Sequence, residues 1–165
     1  MTDKPTPEET TQWQKRLASQ ANDRAWSLTE QDIRSAEEDE EMLQATHASM
    51  YYWKIVGTER NHAHAAQLLA HVYALLGLAV PAMHYHAKSS HFFESSQNDP
   101  WETALAHAIS ANVAYASGNS EKHRENYGRA ESIIQKLADP EDKKILNATL
   151  RVIPKPKNLS SYGAA

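Results

Sequence analysis

Residues 99–142 read DPWETALAHAISANVAYASGNSEKHRENYGRAESIIQKLADPED, and this stretch decides the fold. It opens on Asp99, Pro100 and Glu102. Asp is a side-chain cap, Pro has the fixed φ of a first helical turn, and Glu suits the positive end of the helix dipole. Small and apolar residues follow without strand-like alternation as far as Gly118, a residue suited to the left-handed turn that ends a helix. Ser120 is positioned to cap the next segment, where Tyr127, Ala130, Ile133, Ile134 and Leu137 recur at helical spacing. Asp139 and Pro140 then repeat the opening signature. Two helices joined by so short a turn lie antiparallel, as a hairpin.

The same punctuation extends outward. Thr6-Pro7-Glu8-Glu9 predicts a capping box, and the helix after it carries Trp13, Leu17 and Ala21 on the face expected to be buried. Thr29 is expected to cap a second helix running to Gly57, with Ile33, Ala36, Leu43, His47, Met50 and Trp53 or Lys54 along its stripe. Thr58 starts a third, ending near Gly77, with Leu69, Ala70 and Tyr73 inward. Pro81 opens a fourth, reaching about Ser96. The seventh, from Pro140, carries Leu146, Leu150 and Ile153 and stops at Pro154. The expectation is an all-α domain of about seven helices over residues 1–153, stacked as antiparallel hairpins, with a loose tail over 154–165.

Bulk properties narrow the function. At 165 residues, 41% apolar and 23% charged, the chain fits one globular domain. Without cysteine it has no disulfide, thiol nucleophile or thiolate metal site. A net charge of -4 argues against broad nucleic-acid binding. That charge is uneven: residues 30–41 hold seven acids against Arg34, and after Asp142 every charged side chain is basic. Those two ends are solvated faces on the ordinary reading, and mutual partners on the sharper one. The apolar run at 66–83 is broken by Gln67, His71, Gly77 and Pro81, so no membrane span is expected. The first sixteen residues lack the apolar core of a secretory signal, and a cytoplasmic location is expected. There is no Gly-rich phosphate loop and no G-x-S-x-G elbow, and no cofactor is expected.

Two hairpins carry a resemblance. Leu69, Ala70, Tyr73, Gly77 and Ala82, then Ala111, Gly118, Tyr127 and Ala130, fall where tetratricopeptide repeats place their signature residues. Residues 59–138 therefore resemble a degenerate tetratricopeptide pair. Ala66 and His86 depart from the pattern in the first hairpin and His107, Ser110, Ala114 and His123 in the second, and the turn glycines stand 41 residues apart. The stretch from His47 to Trp53, with Val56, Gly57, Thr58 and Asn61, is similar to a group of uncharacterised bacterial helical proteins. The resemblance implies a right-handed superhelix whose concave face binds a peptide or protein. Carried over position by position, it places His64, Gln67, His71, Asn112 and Tyr115 in the groove.

Nine histidines stand out, six of them between residues 61 and 93, where Lys88 is the one formally charged side chain. His64 and His71, like His84 and His91, are seven apart, or ~10.5 Å along a helix, too far to share an ion. Folding the hairpin near residue 78 would set His71 opposite His84 and His64 opposite His91. Those pairs are the candidate metal ligands, or a pH-sensitive surface; the ordinary reading is hydrogen-bonded filler. His47 reads as a core histidine. Tyr51, Tyr52 and Trp53 circle one helix, so at least one faces away from its stripe, as packing or as an interface anchor. The leading expectation is a non-enzymatic protein- or peptide-binding module. A histidine-dependent metal-binding bundle or hydrolase is the alternative, and a homo-oligomer subunit is the third reading.

Overall fold

A computed structural model describes residues 4–94 and 99–157, which form seven helices: α1 (Pro7–Thr29), α2 (Ala36–Val56), α3 (Glu59–Leu75), α4 (Ala79–Phe93), α5 (Pro100–Ala116), α6 (Ser120–Lys136) and α7 (Pro140–Arg151). They hold 81% of the described residues, among which there is no strand. The protein is all-α. The helices pair as hairpins α1–α2, α3–α4 and α5–α6, with α7 closing the stack against α5 and α6. The hairpins join through their odd members: α1 meets α3, α3 meets α5, and α5 meets α7. Each even helix also leans on the next odd one, but no two of α2, α4 and α6 pack closely along their length. No helix among the described residues is long and apolar enough to cross a membrane.

Local chemistry sets the ends. Thr6 accepts from the Glu9 amide at 3.2 Å while the Glu9 carboxylate accepts from the Thr6 amide at 2.7 Å. Asp99 caps α5 by accepting from the Glu102 amide at 2.9 Å. Gly77 and Gly118 adopt φ of 72° and 75°, as the left-handed turn requires. Each supports the same pair of bonds: Gly77 to Ala74 and Leu78 to Tyr73, then Gly118 to Tyr115 and Asn119 to Ala114. The two hairpins thus end their first helices identically, 41 residues apart.

Several expected boundaries and faces move. Thr29 does not start α2. It is the last residue of α1, and its hydroxyl donates back to the Trp26 carbonyl at 2.7 Å. Ser35 is the cap, in a box with Glu38. Ile33 consequently lies in the connection and is 86% exposed. α4 begins two residues before Pro81, without a side-chain cap, and its expected extension to Ser96 falls outside the described residues. Asn119, not Ser120, caps α6. On α1 the buried line is Ala18, Ala25, Leu28 and Thr29, which leaves Trp13 59% exposed and Leu17 exposed. On α2 it is Met42, Thr46 and Ser49, with His47 turned outward. The reason is the same in both helices: small residues allow the close approach, and the larger side chains lie along the edges. Ile153 is buried beyond α7, and the Pro154 carbonyl accepts from His123 at 2.8 Å, so the first part of the expected tail is fastened. From residue 158 the tail lies outside the described residues.

One contact joins the two charged ends. The Arg151 guanidinium bonds the Asp32 carboxylate and donates to the Glu30 carbonyl at 2.7 Å.

Candidate functional site

The groove expected on α3 and α5 is a closed seam. Gln67, His71 and Asn112 are buried, because α3 is ringed by α1, α2, α4 and α5. Ala63, Ala65, Ala66, Ala70 and Ala74 let those neighbours approach closely. His71 and Asn112 occupy equivalent positions of the two hairpins, 41 residues apart, and touch each other. The Asn112 amide nitrogen donates to His71 Nδ1 at 3.0 Å and to the His71 carbonyl at 3.3 Å. His71 must then carry its hydrogen on Nε2, which is buried and has no hydrogen-bond partner among the described residues. Gln67 Oε1, one turn away, is also buried and unpartnered. Trp26 of α1 lies over the imidazole at 5.8 Å. Burial pushes the His71 pKa down to about 3, helped by the Arg34 charge. Of the five groove candidates, His64 is half-buried at the edge of the seam, and Tyr115 is exposed at its far end against His123.

The cross-hairpin histidine pairs are not brought together. His71 is turned to Asn112 while His84 is exposed beside Tyr85. His64 donates to the buried Glu102 carboxylate at 2.7 Å, which Arg60 also holds at 2.8 Å, and His91 is exposed. These helices meet through other faces: Tyr73 of α3 stacks on Tyr85 of α4. Among the described residues no three His, Asp or Glu side chains converge as metal ligands would. Other histidines are tied to single partners, as when His62 donates to the Trp53 carbonyl at 2.9 Å and His107 bonds Asn126 at 2.8 Å.

A pocket of about 420 Å³ lies at the end of the seam, beside Arg60, His64, Trp101 and Glu102. Two further clefts lie on the other side of the stack, where the even helices stand apart. One cleft, between α4 and α6 with α5 as floor, holds about 780 Å³. His86 and Ser90 of α4 face Lys122, Asn126 and Arg129 of α6 across Ser110 of α5. His86 and Ser110 share a hydrogen bond of 2.8 Å, and burial lowers the His86 pKa. The other cleft, between α2 and α4, holds about 430 Å³. Its α2 wall is His47, Met50, Tyr51 and Lys54, one helical stripe; Tyr85 and Lys88 of α4 face it, and His62 closes one end. His47 shares a 2.7 Å hydrogen bond with the Tyr73 hydroxyl, and burial lowers the His47 pKa.

These clefts are repeats of one another. Tyr85 and Lys88 are matched 41 residues later by Asn126 and Arg129. In each, a histidine on the first wall bonds a hydroxyl on the odd helix beneath. The expected aromatic group divides: Tyr51 lines the cleft and is 63% exposed, Tyr52 meets it edge-on at 5.3 Å, and Trp53 is half-buried. Sequence reasoning named Lys54 and Lys88 without giving them a site, and passed over Tyr85 and the His86–Ser110 pair. The 41-residue offset, extended from the turn glycines to the even helices, would have matched Tyr85 and Lys88 with Asn126 and Arg129; His86 and Ser110 fall on Ala45 and Leu69, so no repeat signal marked that pair.

Compared with known proteins, the chain matches no protein family, no curated protein and no solved structure.

Proposed function

We propose that this chain is a non-enzymatic, tetratricopeptide-like module that binds a peptide or protein segment in the α4–α6 cleft. One observation carries the reading: the hairpins stack through their odd helices and leave a cleft of about 780 Å³ open between even ones. That volume lies within the range of ligand sites. Its walls offer what a peptide main chain and mixed side chains need. Ser90, Thr103, His107 and Asn126 supply neutral hydrogen-bonding groups, and Glu94, Lys122 and Arg129 supply both charges. Selection of binders from a random peptide library, repeated with Ala106→Trp, tests it. Ala106 is half-buried on the cleft wall, so the indole should fill the space while circular dichroism stays unchanged. Peptides selected by the wild type should lose binding to that variant; equal binding would place them elsewhere and end the reading.

The His86–Ser110 contact favours a second reading, a hydrolase with Ser110 as nucleophile and His86 as base. Against it, Ser110 sits inside α5, where the neighbouring amides are engaged in the helix and leave no pair of donors for an oxyanion. Ester turnover abolished by Ser110→Ala would reverse this ranking.

A further inference from the structure

The α2–α4 cleft carries a sign opposite to that of the chain. The protein has a net charge of -4, yet Lys54 and Lys88 line this cleft and no carboxylate does. Among the described residues neither lysine has a carboxylate partner within ion-pair distance, whereas Arg24, Arg34, Arg60, Arg129 and Arg151 all do. The Lys88 ammonium is instead held 5.4 Å from the centre of the Tyr85 ring. That ring is fixed from behind, stacked on Tyr73 at 5.7 Å and 6°, and met edge-on by His47 at 6.3 Å. Opposite stands Tyr51, exposed and braced by Tyr52. Two uncommitted ammonium groups, an exposed ring and the Met50 thioether thus share about 430 Å³.

The geometry points to a second ligand site, for a small organic anion that joins a carboxylate to an aromatic ring. Lys54 and Lys88 would take the carboxylate through charge-assisted hydrogen bonds. The ring would lie against Tyr51 and Met50, where aromatic and S–aromatic contacts reward a flat body. The volume is small for a peptide and adequate for such a molecule. This site stands apart from the peptide reading, since it shares no lining residue with the α4–α6 cleft.

Titration of the full chain by calorimetry, with NMR shifts of the Tyr51 and Lys54 amides, tests it. The probes are benzoate and phenylacetate, their neutral counterparts benzamide and phenylacetamide, and acetate. The aromatic carboxylates should bind at least about tenfold more tightly than the amides and than acetate. Lys54→Gln and Lys88→Gln should each weaken them several-fold, Tyr51→Ala should do the same, and Arg124→Gln, exposed on α6 and outside both clefts, should change nothing. All three cleft side chains are exposed, so these variants should keep the wild-type helix content. Equal affinity for amide and carboxylate would overturn the charge argument, and equal affinity for acetate and benzoate the aromatic one. Indifference to both lysine variants would place the ligand elsewhere. Shifts produced by an acidic peptide but by none of the small carboxylates would also overturn the proposal.

Discussion

Where α4 faces α2 it presents Tyr85 and Lys88, and where α6 faces α4, 41 residues later, it presents Asn126 and Arg129. The floors differ in the same direction. α3 carries Tyr73 beneath the first cleft, and the position 41 residues on, in α5, is Ala114, which lines the second. A phenol fills what a methyl leaves open, consistent with volumes of about 430 and 780 Å³. One helical plan therefore yields an aromatic, cationic slot and a wider cleft of mixed polarity. The backbone fixes where the openings fall, and a few side chains at repeat-equivalent positions fix what each can hold.

Removing the phenol should be the most damaging way to make the two floors alike. Tyr73 packs on the core, stacks on Tyr85 and bonds His47. Tyr73→Ala should lower stability by about 2–4 kcal/mol in urea denaturation, as large aromatic truncations do. A loss below about 0.5 kcal/mol would show that Tyr73 is not the floor and that the difference in volume has another origin.

Acidification probes the histidines that the stack encloses. His71 is protonated in the folded state only near pH 3, and burial also depresses His86 and His47. Unfolded histidine takes up a proton near pH 6.5. Below that pH the unfolded chain holds more protons, so stability falls as pH drops and is level above about pH 7. Each fully enclosed imidazole contributes a slope approaching ~1.4 kcal/mol per pH unit. Between pH 6.5 and 5 the loss should reach about 2 kcal/mol, read from urea midpoints. The cause is desolvation of separate imidazoles, not a pH-sensitive surface of paired histidines. His71→Phe should accordingly flatten the curve. A wild-type profile that stays level over this range would mean that the imidazoles are not sealed.

The helices, the turn glycines at 77 and 118 and most caps were legible because each rests on local chemistry. A capping box or a positive φ needs only a few neighbouring residues. The faces were less legible. Trp13 and Leu17 look like a buried stripe by composition, but the close packing of α1 is made by Ala18 and Ala25. Gln67, His71 and Asn112 were expected in the groove because the tetratricopeptide resemblance, carried over position by position, puts them there. Nothing local announces that α3 is ringed by four other helices. The clefts were hidden for a related reason: Lys54 and Lys88 lie 34 residues apart, and only the arrangement of α2 beside α4 makes them neighbours.

A finer comparison deletes only the hydroxyl that each cleft histidine holds. Ser110→Ala removes the partner of His86, and Tyr73→Phe removes the partner of His47. His86 is half-buried and His47 is exposed, so the orphaned His47 ring can turn to water more easily. Ser110→Ala should therefore cost about 1 kcal/mol and Tyr73→Phe about 0.5 kcal/mol, both by denaturant unfolding. The reverse order would mean that the narrow cleft, not the wide one, is the drier of the two.

The smallest effects belong to the matched cations on the rims, and they separate a charge the fold uses from one it leaves available. Arg129 is bonded to Glu125 at 2.6 Å, one turn before it on the same helix. Such an exposed pair contributes about 0.3–0.5 kcal/mol and is screened by salt. Lys88 has no carboxylate among the described residues and lies over the Tyr85 ring, a contact worth about 0.5 kcal/mol at an exposed site that is far less sensitive to ionic strength. Arg129→Gln should thus shift the melting temperature at low salt, and the shift should vanish in 1 M sodium chloride. Lys88→Gln should produce a shift of similar or smaller size that salt leaves in place. If Lys88→Gln behaved as Arg129→Gln does, the ammonium would have an acidic partner in solution, and the slot between α2 and α4 would lose one of the two ammonium groups on which its reading as an anion site rests.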